Sequence, residues 1–519
     1  MKQLQLSVMV LGTAALMFGC KTGQKQTAPA QAKQEQHRPQ FHFTPREKWM
    51  NDPNGLVYYD GEYHLFYQHY PDSTVWGPMH WGHAVSKDLV HWEHLPIALE
   101  PDSLGYIFSG SVVVDSLNTA GFQAGKEKTL VAIFTYHNMA FEKQGRLDRQ
   151  YQAIAYSNDK GRTWTKYAGN PVIKSPGTPD FRDPKVIWHV PSSSWVMTLA
   201  AGNHIEFFTS PDLKNWTRSG TFGEKAGAHG GVWECPDLFP LSVPGSDQQK
   251  WVLLVSIGDS AVNGGSGTQY FIGDFDGKTF RNNGTDSSML WLDYGRDNYA
   301  GVTWFGAPNN QRLFLGWMSN WKYAQMVPTK SWRSAMTWPR QLQLVATDSG
   351  LRVASVPLEI ESLHDGIAEI HELKQLDGQE QLSTHGALRE IWLEADLSKI
   401  SGSEIGIKLS NSKGEFVTMG FDLASHQYFF DRTNSGKNDF EAGFAGRYQA
   451  PRWMQGNKLS LHLLVDVASA EMFADDGLTT LTNIFFPNED YQRLSVYTKG
   501  GEAKDVLIKI QPLKAAVPQ

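Results

Sequence analysis

Cysteine is almost absent from this chain, which has two, Cys20 and Cys235, among its 519 residues. Two are too few for the disulfide framework that holds small secreted domains together. Charge is also scarce, because charged residues make up 19% of the chain against a usual share of about 25%. The net charge is -7 and no basic run stands out, so we exclude nucleic acid as a partner.

Long hydrophobic runs are missing as well, apart from residues 4–18. That run is too short to span a bilayer, follows Lys2 and ends in Gly-Cys at Cys20, which is typical of a signal peptide. A small residue before such a cysteine resembles the bacterial lipobox, in which the cysteine is lipidated. An ordinary cleavable signal is the alternative. We predict a lipoprotein-type signal peptide over residues 1–20, lipidation of Cys20 and a flexible linker over residues 21–38. The protein would then be exported and membrane-anchored, either in the periplasm or on the cell surface.

Four turns of the chain resemble one another and indicate a repeated unit. Each follows a strand-like run, and the first three share Ser-x-Asp and a later Trp. Ser and Asp can accept hydrogen bonds from turn amides while the Trp covers the returning strand, so each turn predicts a β-hairpin. The four turns begin at Ser86, Ser157, Ser210 and Gly273.

Each hairpin is preceded by a pair of apolar strands, and three of these pairs begin with a carboxylate and a proline. The three headers are Asn-Asp-Pro at 51–53, Arg-Asp-Pro at 182–184 and Glu-Cys-Pro at 234–236. Residues 108–136 and 299–318 form comparable pairs without that header. The count is five four-stranded units. Units of this size cannot bury both faces alone, which predicts an all-β fold with a five-bladed β-propeller.

Three acids have positions that follow from this repeat, because the first strand of each blade lines the channel. Asp52, Asp183 and Glu234 head the first strands of different blades, so we expect them to converge at one end of the axis. With 18 Trp and 18 Tyr in the chain, this favours a sugar site. Glycoside hydrolysis needs one carboxyl to protonate the leaving oxygen and another to attack or to activate water. No nucleophile-elbow or phosphate-loop motif supports another enzyme class.

The sequence pattern changes after Pro339, where short strand-like runs of alternating apolar and polar residues begin. We predict the propeller over residues 39–342 and a β-sandwich over residues 343–519. The acidic turn at 471–477 has too few regularly spaced oxygen ligands for calcium, so a solvated hairpin is the favoured interpretation. Predicted sandwich strands lie at 388–397, 404–409, 459–467, 470–474 and 494–499.

The run Trp-Met-Asn-Asp-Pro-Asn-Gly at 49–55 closely resembles the β-fructofuranosidase family, the invertases, inulinases and levanases of glycoside hydrolase family 32. The resemblance covers roughly residues 40–340 strongly and the second domain more loosely. It implies a five-bladed propeller, in agreement with the repeat count. Further matches lie at 66–68, 76–77, 80–83, 108–111, 181–185, 233–237, 293–295, 316–321 and 332–334.

The resemblance also implies roles for individual residues. Asp52 would be the nucleophile that attacks the anomeric C2 of a β-linked fructosyl unit, and Glu234 the acid and then the base. Asp183 would stabilise the transition state, and Cys235 is placed to tune Glu234. The reaction would retain configuration without a metal or organic cofactor. The remaining positions that match the substrate pocket are Asn51, Gln68, Trp76, Phe108, Ser109, Arg182 and Trp317.

The function that the resemblance implies is release of fructose from fructans, levan or inulin, and from sucrose, by exo-cleavage. The exo interpretation rests on the unbroken matches at 76–83 and 108–111, which resemble exo-acting bacterial members. An endo-acting levanase or inulinase is one alternative, and an inactive fructan-binding lipoprotein is another. The loop over 138–150 decides between a pocket and a cleft, and sequence does not give loop conformation. The preferred fructan, the oligomeric state and the role of the sandwich stay open.

Overall fold

Five antiparallel sheets of four main strands succeed one another along the first part of the chain. The computed structural model describes residues 35–383 and 386–516. The predicted signal peptide, Cys20 and linker residues up to 34 lie outside the described residues. Within the described part of the chain, no helix is long and apolar enough to cross a membrane.

The five sheets are the blades of a propeller, since the first strand of each sheet contacts the first strands of its two neighbours in a closed ring. The first two blades contain β1 (Lys48–Tyr59), β2 (Glu62–Tyr70), β3 (His80–Ser86), β4 (Trp92–Leu99), β5 (Tyr106–Asp115), β6 (Thr129–His137), β7 (Gln150–Ser157) and β8 (Thr165–Lys166). The third and fourth contain β9 (Phe181–His189), β10 (Ser194–Ala201), β11 (Ile205–Ser210), β12 (Thr217–Phe222), β13 (Trp233–Ser242), β14 (Gln249–Ile257), β15 (Gly267–Phe275), β16 (Phe280–Asn282) and β17 (Leu290–Trp291). The fifth region contains β18 (Tyr299–Thr303), β19 (Leu313–Met318), β20 (Trp332–Arg333), β21 (Ala335–Met336), β22 (Arg340–Thr347) and β23 (Gly350–Pro357). The five-bladed propeller predicted from the repeat is confirmed.

The ring is closed by pairing between the two ends of the propeller. Strand β20 runs parallel to β1, with Lys48 opposite Trp332. The fifth sheet has the order β18-β19-β22-β23. The boundary predicted between residues 342 and 343 therefore falls inside β22.

The Ser-x-Asp turns connect the outer strands of three blades, as predicted. In the second blade, Gly161 N–H donates to Ser157 Oγ at 2.9 Å and Thr163 N–H donates to Asp159 Oδ1 at 2.9 Å. The indole of Trp164 donates to the Gly161 carbonyl at 3.0 Å. The other two turns make the same kinds of contact. Each turn satisfies its own amides, which makes these loops locally determined.

A second group of strands forms a two-layered sandwich, as predicted. Two long strands run through both layers, because residues 369–383 pair with residues 494–510 along almost their whole length. Residues 493–499 also pair with 404–410 in one layer, and residues 507–512 pair with 389–394 in the other. The strands are β24 (Glu369–Ser383), β25 (Arg389–Asp396), β26 (Glu404–Ser410), β27 (Phe416–Asp422), β28 (Gln427–Asp431), β29 (Arg447–Pro451), β30 (Lys458–Asp466), β31 (Ser469–Ala474), β32 (Thr479–Ile484) and β33 (Arg493–Pro512). The described helical segments are α1 (Met139–Lys143) and four 3₁₀ turns at Val190–Ser192, Pro308–Asn310, Glu361–Leu363 and Leu397–Lys399.

Buried charges join the sandwich to the propeller. Arg340 on β22 donates to Asp293 Oδ2 at 3.0 Å and to Glu471 on β31. His42 lies 2.8 Å from both Asp466 and Glu471. The interpretation of 471–477 as a solvated hairpin is wrong, because only Asp476 of this segment is exposed. Glu471 is fully buried, where Arg340 and His42 contact it inside the interface.

Candidate active site

The innermost strands of all five blades share an irregularity at the same end. Their pairing with the second strand is interrupted at residues 50–53, 107–110, 182–185, 234–237 and 299–302. A β-bulge places an extra residue in one strand, bends it and redirects a side chain. The predicted acids Asp52 and Asp183 lie inside these bulges, and Glu234 is the last paired residue before the bulge of its strand. The bulges explain how strands of separate blades direct side chains to one point.

A cavity of about 340 Å³ opens at this end of the propeller. Nine predicted site residues line it, namely Asn51, Asp52, Gln68, Trp76, Phe108, Ser109, Arg182, Asp183 and Glu234. Seven further residues line it that the sequence did not single out, namely His137, Glu142, Arg149, Gln150, Asp180, Trp321 and Gln325. Most of the additional residues come from loops at the rim, whose positions no strand periodicity predicts.

Trp317 is the predicted pocket residue that does not line this cavity. It lies on β19, is fully buried and packs edge-on against Trp49 and Tyr299. Trp321, four residues later in the same motif, lines the cavity instead, with its ring 4.9 Å from that of Trp317. Trp317 therefore supports the aromatic wall from behind.

Asp52 is held by side chains from two blades. Its Oδ1 accepts a hydrogen bond from Asn51 at 2.9 Å, and its Oδ2 accepts one from Ser109 at 2.7 Å. The Trp49 indole donates to the side-chain oxygen Oδ1 of Asn51 at 2.7 Å, which turns the side-chain amide nitrogen toward Asp52. Burial and the nearby Glu234 raise the pKa of Asp52, whereas the Ser109 and Asn51 hydrogen bonds lower it. Both donors stabilise the ionised carboxylate.

Asp183 lies beside Asp52 and is joined to it through Cys235. The Cys235 N–H donates to Asp183 Oδ2 at 3.0 Å, and its sulfur lies 3.7 Å from Oδ2 of both aspartates. Burial raises the pKa of Asp183 to about 7, with Arg182 opposing the shift and Glu234 adding to it. Burial also raises the pKa of the Cys235 thiol, so the thiol stays protonated and can donate.

Glu234 uses its two oxygens differently. Oε1 accepts from Arg182 Nη2 at 2.8 Å and from Nε at 3.1 Å, while Oε2 contacts the Tyr299 hydroxyl. Arg182 also donates to Asp180 Oδ1 at 2.6 Å, which fixes the guanidinium plane. The sequence did not single out Tyr299. It is the last paired residue before the bulge of the fifth blade, the position that Glu234 has in the fourth, so aligning the repeats by their bulges is the signal that would have found it.

Carboxyl groups that converge from three blades, with aromatic side chains around them, define the class of this protein as a glycoside hydrolase. The sequence agrees, because it matches the Glycosyl hydrolases family 32 N-terminal domain over residues 42–355 and the Glycosyl hydrolases family 32 C terminal over residues 359–512. The chain belongs to glycosyl hydrolase family 32, and the family predicted from the motifs is confirmed.

Known relatives resemble the chain over nearly its full length. It is 49% identical over 521 residues to the levanase of Bacillus subtilis (strain 168), covering 99% of this chain and 75% of the relative. The crystal structure of exo-inulinase from Aspergillus awamori superposes with a TM-score of 0.87 at 36% identity, covering 93% of this chain and 99% of that one. The β-fructofuranosidase from Schwanniomyces occidentalis complexed with fructosyl-erythritol gives 0.83 at 32% identity, covering 92% and 98%.

Proposed function

We propose that this protein hydrolyses β-linked fructans and sucrose with retention of configuration and releases fructose from the chain end. The observation that carries the proposal is the convergence of Asp52, Asp183 and Glu234 in one cavity. The substrates named for the similar levanase, exo-inulinase and β-fructofuranosidase support a fructosyl substrate.

In the first step, the ionised Asp52 attacks the anomeric C2 of the terminal fructosyl unit. The bond from C2 to the leaving oxygen breaks, and the proton of Glu234 passes to that oxygen. Water deprotonated by Glu234 then attacks C2, releases fructose and restores Asp52. Two inversions at one carbon give net retention.

The contacts of Glu234 suit a group that gives up a proton and later takes one back. Arg182 donates two hydrogen bonds to Oε1, so a proton on Glu234 belongs on Oε2. A phenol hydroxyl can donate or accept, so Tyr299 can hold Oε2 in either protonation state. The glutamate therefore keeps its orientation through both steps.

Asp183 serves in this proposal as the charge that faces the oxocarbenium-like transition state. Three neighbouring carboxyls in a poorly solvated cavity disfavour full ionisation of all of them in the free enzyme. Positive charge that develops on the sugar reverses this balance and favours the carboxylate form. The electrostatic benefit is therefore larger in the transition state than in the ground state.

Exo-cleavage is supported by the size and rim of the cavity. About 340 Å³ lies at the small end of the roughly 300 to 1,000 Å³ typical of ligand pockets. On one side of the rim, Trp76 N–H donates to Gln325 Oε1 at 3.2 Å and joins loops of two blades. On another side, the segment with helix α1 contributes Glu142. A rim of this kind favours a chain terminus over the middle of a polymer.

Incubation of the protein with levan, inulin and sucrose tests this proposal, with products resolved over time. We expect fructose alone from the earliest points, and we expect Asp52→Asn to lose nearly all turnover because the amide is a poor nucleophile. A ladder of oligosaccharides would indicate an endo-enzyme. If the wild-type protein bound these sugars without releasing any fructose, the alternative of an inactive fructan-binding lipoprotein would be supported.

We also propose that the protein is exported and anchored to a bacterial membrane through a lipid on Cys20. The support is the signal-like sequence before Cys20 and the extracellular location in the names of similar exo-inulinases. Expression in a bacterium with labelled palmitate should label the wild-type protein in the membrane fraction. Cys20→Ala should lose the label and the membrane association, whereas an unlabelled wild-type protein would point to an ordinary cleaved signal.

A further inference from the structure

The segment between β6 and β7, residues 138–149, forms one wall of the cavity and is tied down at both ends. Asn138 N–H donates to the Arg149 carbonyl at 2.8 Å, and the Asn138 side chain caps helix α1 by accepting from Phe141 N–H at 3.1 Å. His137 stacks on Phe108, with ring centroids 4.4 Å apart and an interplanar angle of 4°. These contacts hold the segment in a defined position beside the sugar-binding residues.

Arg149 is the residue of this wall that has donors left for a ligand. Its Nε lies 3.9 Å from Glu142 Oε1, and its Nη2 lies 3.7 Å from Asp180 Oδ1. Both separations exceed hydrogen-bond length. In the described part of the chain, Nε has no hydrogen-bond partner although the atom is buried. A guanidinium has five N–H donors, so the two carboxylates hold Arg149 in place electrostatically without occupying its donors.

The contacts of Arg182 show on which side of the cavity Arg149 lies. Arg182 donates to Glu234 and to Asp180, so it links these two carboxylates. Asp180 is also the neighbour of Arg149, which places the pair on the Glu234 side. If Glu234 protonates the leaving oxygen, the sugar beyond that oxygen meets Asp180 and Arg149.

We propose that Arg149 binds hydroxyl groups of the sugar on the leaving-group side of the scissile bond. This inference rests on the proposed function, because it takes Glu234 as the acid. Glu142 and Asp180 accept hydrogen bonds from neighbouring hydroxyls of the same sugar. The side chains of Glu142, Arg149 and Asp180 thereby distinguish substrates that have a sugar leaving group from those that have none.

The experiment compares two kinds of substrate for wild type and Arg149→Ala. Sucrose and the preferred fructan have a sugar leaving group, whereas methyl β-D-fructofuranoside leaves methanol. Loss of a charged hydrogen bond should lower kcat/KM for the sugar leaving groups about 10- to 100-fold. For the methyl fructoside we expect less than about a threefold change, since its leaving group does not reach Arg149. Unchanged turnover of the methyl fructoside also shows that the variant is folded.

Arg146→Ala is the matched control on the same segment. Arg146 binds Asp148, lies over the Phe141 ring at 3.4 Å and does not line the cavity, so both substrates should react as in wild type. Arg149→Lys keeps the charge and should restore part of the lost kcat/KM.

Two outcomes would overturn this inference in distinguishable ways. An equal loss of kcat/KM on both substrates would mean that Arg149 acts on the terminal fructosyl unit or on folding. Wild-type protein that releases no fructose from either substrate would overturn the proposed function and this inference with it.

Discussion

Each carboxyl of the site has a different set of hydrogen-bond donors, and this difference divides the chemistry among them. Asp52 accepts from a hydroxyl and an amide, Asp183 from a backbone N–H, and Glu234 from a guanidinium. Buried carboxyls that lie close together raise one another's proton affinity. Burial raises the pKa of Asp52 and of Asp183, and the hydrogen-bond donors of each oppose that shift.

Removal of the Ser109 hydroxyl should move the acidic limb of the pH profile. The hydrogen bond of Ser109 lowers the pKa of Asp52 against burial, which raises it. Ser109→Ala therefore raises this pKa, and less of Asp52, the proposed nucleophile, is ionised at low pH. We expect the acidic limb of kcat/KM on sucrose to shift to higher pH, with activity lost first at the most acidic values.

Ser109→Thr is the control, because it keeps a hydroxyl at the same position and should keep the wild-type limb. A profile of Ser109→Ala that is lowered equally at every pH would contradict the assignment, since it would indicate a loss of substrate contact without a change in Asp52 ionisation.

Some residues of the site can be predicted from the sequence more easily than others. Asp52, Asp183 and Glu234 belong to sequence motifs. These motifs can be recognised without knowing where the fold places them. Trp317 and Trp321 belong to one motif, yet only Trp321 lines the cavity. A strand residue faces one side or the other according to its register, so the motif alone does not decide which tryptophan meets the sugar.

The Ser-x-Asp turns show an element that local sequence decides almost alone. Asp212 accepts from the amides of Lys214 and Asn215 at 3.0 and 2.8 Å. Asp212→Ala removes the oxygen that accepts both hydrogen bonds, and we expect a loss of about 1 to 2 kcal/mol of unfolding free energy. Denaturation with temperature or urea measures it, and kcat/KM should stay unchanged because the turn is outside the cavity wall.

Asp212→Asn keeps an acceptor oxygen and should lose less stability than Asp212→Ala. If the two variants were equally destabilised, the negative charge of Asp212 would matter more than the turn hydrogen bonds.

The bulges in the innermost strands are elements that sequence predicts poorly. Asp183, Cys235 and Ala300 have positive φ values of 66°, 44° and 52°, a conformation uncommon for residues other than glycine. Neighbouring blades stabilise these backbones, for example through the bond from Cys235 N–H to Asp183. Pro53, Pro184 and Pro236 lie at three of the bulges and disfavour regular strand pairing. The positive φ values of residues other than glycine need the packing between blades in addition.

At the largest scale, the propeller and the sandwich are joined by charges that would be costly to leave unpaired. Arg340 binds Asp293 and Glu471, and Arg432 of the sandwich binds Asp297 of the propeller at 2.7 Å. Buried ion pairs of this kind make separation of the two parts expensive, because a lone buried charge is strongly destabilising.

His42 should make the stability of the folded protein depend on pH. Burial disfavours its charged form, but the hydrogen bonds to Asp466 and Glu471 outweigh this and raise its pKa to about 9. The folded state therefore holds a proton that the unfolded chain releases above about pH 6.5. The stabilisation, about 3 kcal/mol, is fully present below pH 6.5 and is lost as the pH rises through about 9.

Thermal unfolding of wild type and His42→Gln at several values between pH 6 and 10 tests this prediction. The stability difference between the two proteins should be largest at low pH and should shrink as the pH rises. His91→Gln alters an exposed histidine and should keep the wild-type dependence. A His42→Gln deficit that stayed constant over this range would show that His42 contributes by packing alone.

Repeats, turn residues and motifs in the sequence determine the blade count, the all-β fold, the family and the three candidate acids, because each can be recognised in short stretches of the chain. The surroundings of the acids depend on the tertiary structure, since Arg149 meets Asp180 and Tyr299 meets Glu234 across separate blades. Backbone register and loop position arise from long-range packing, and no local pattern encodes them.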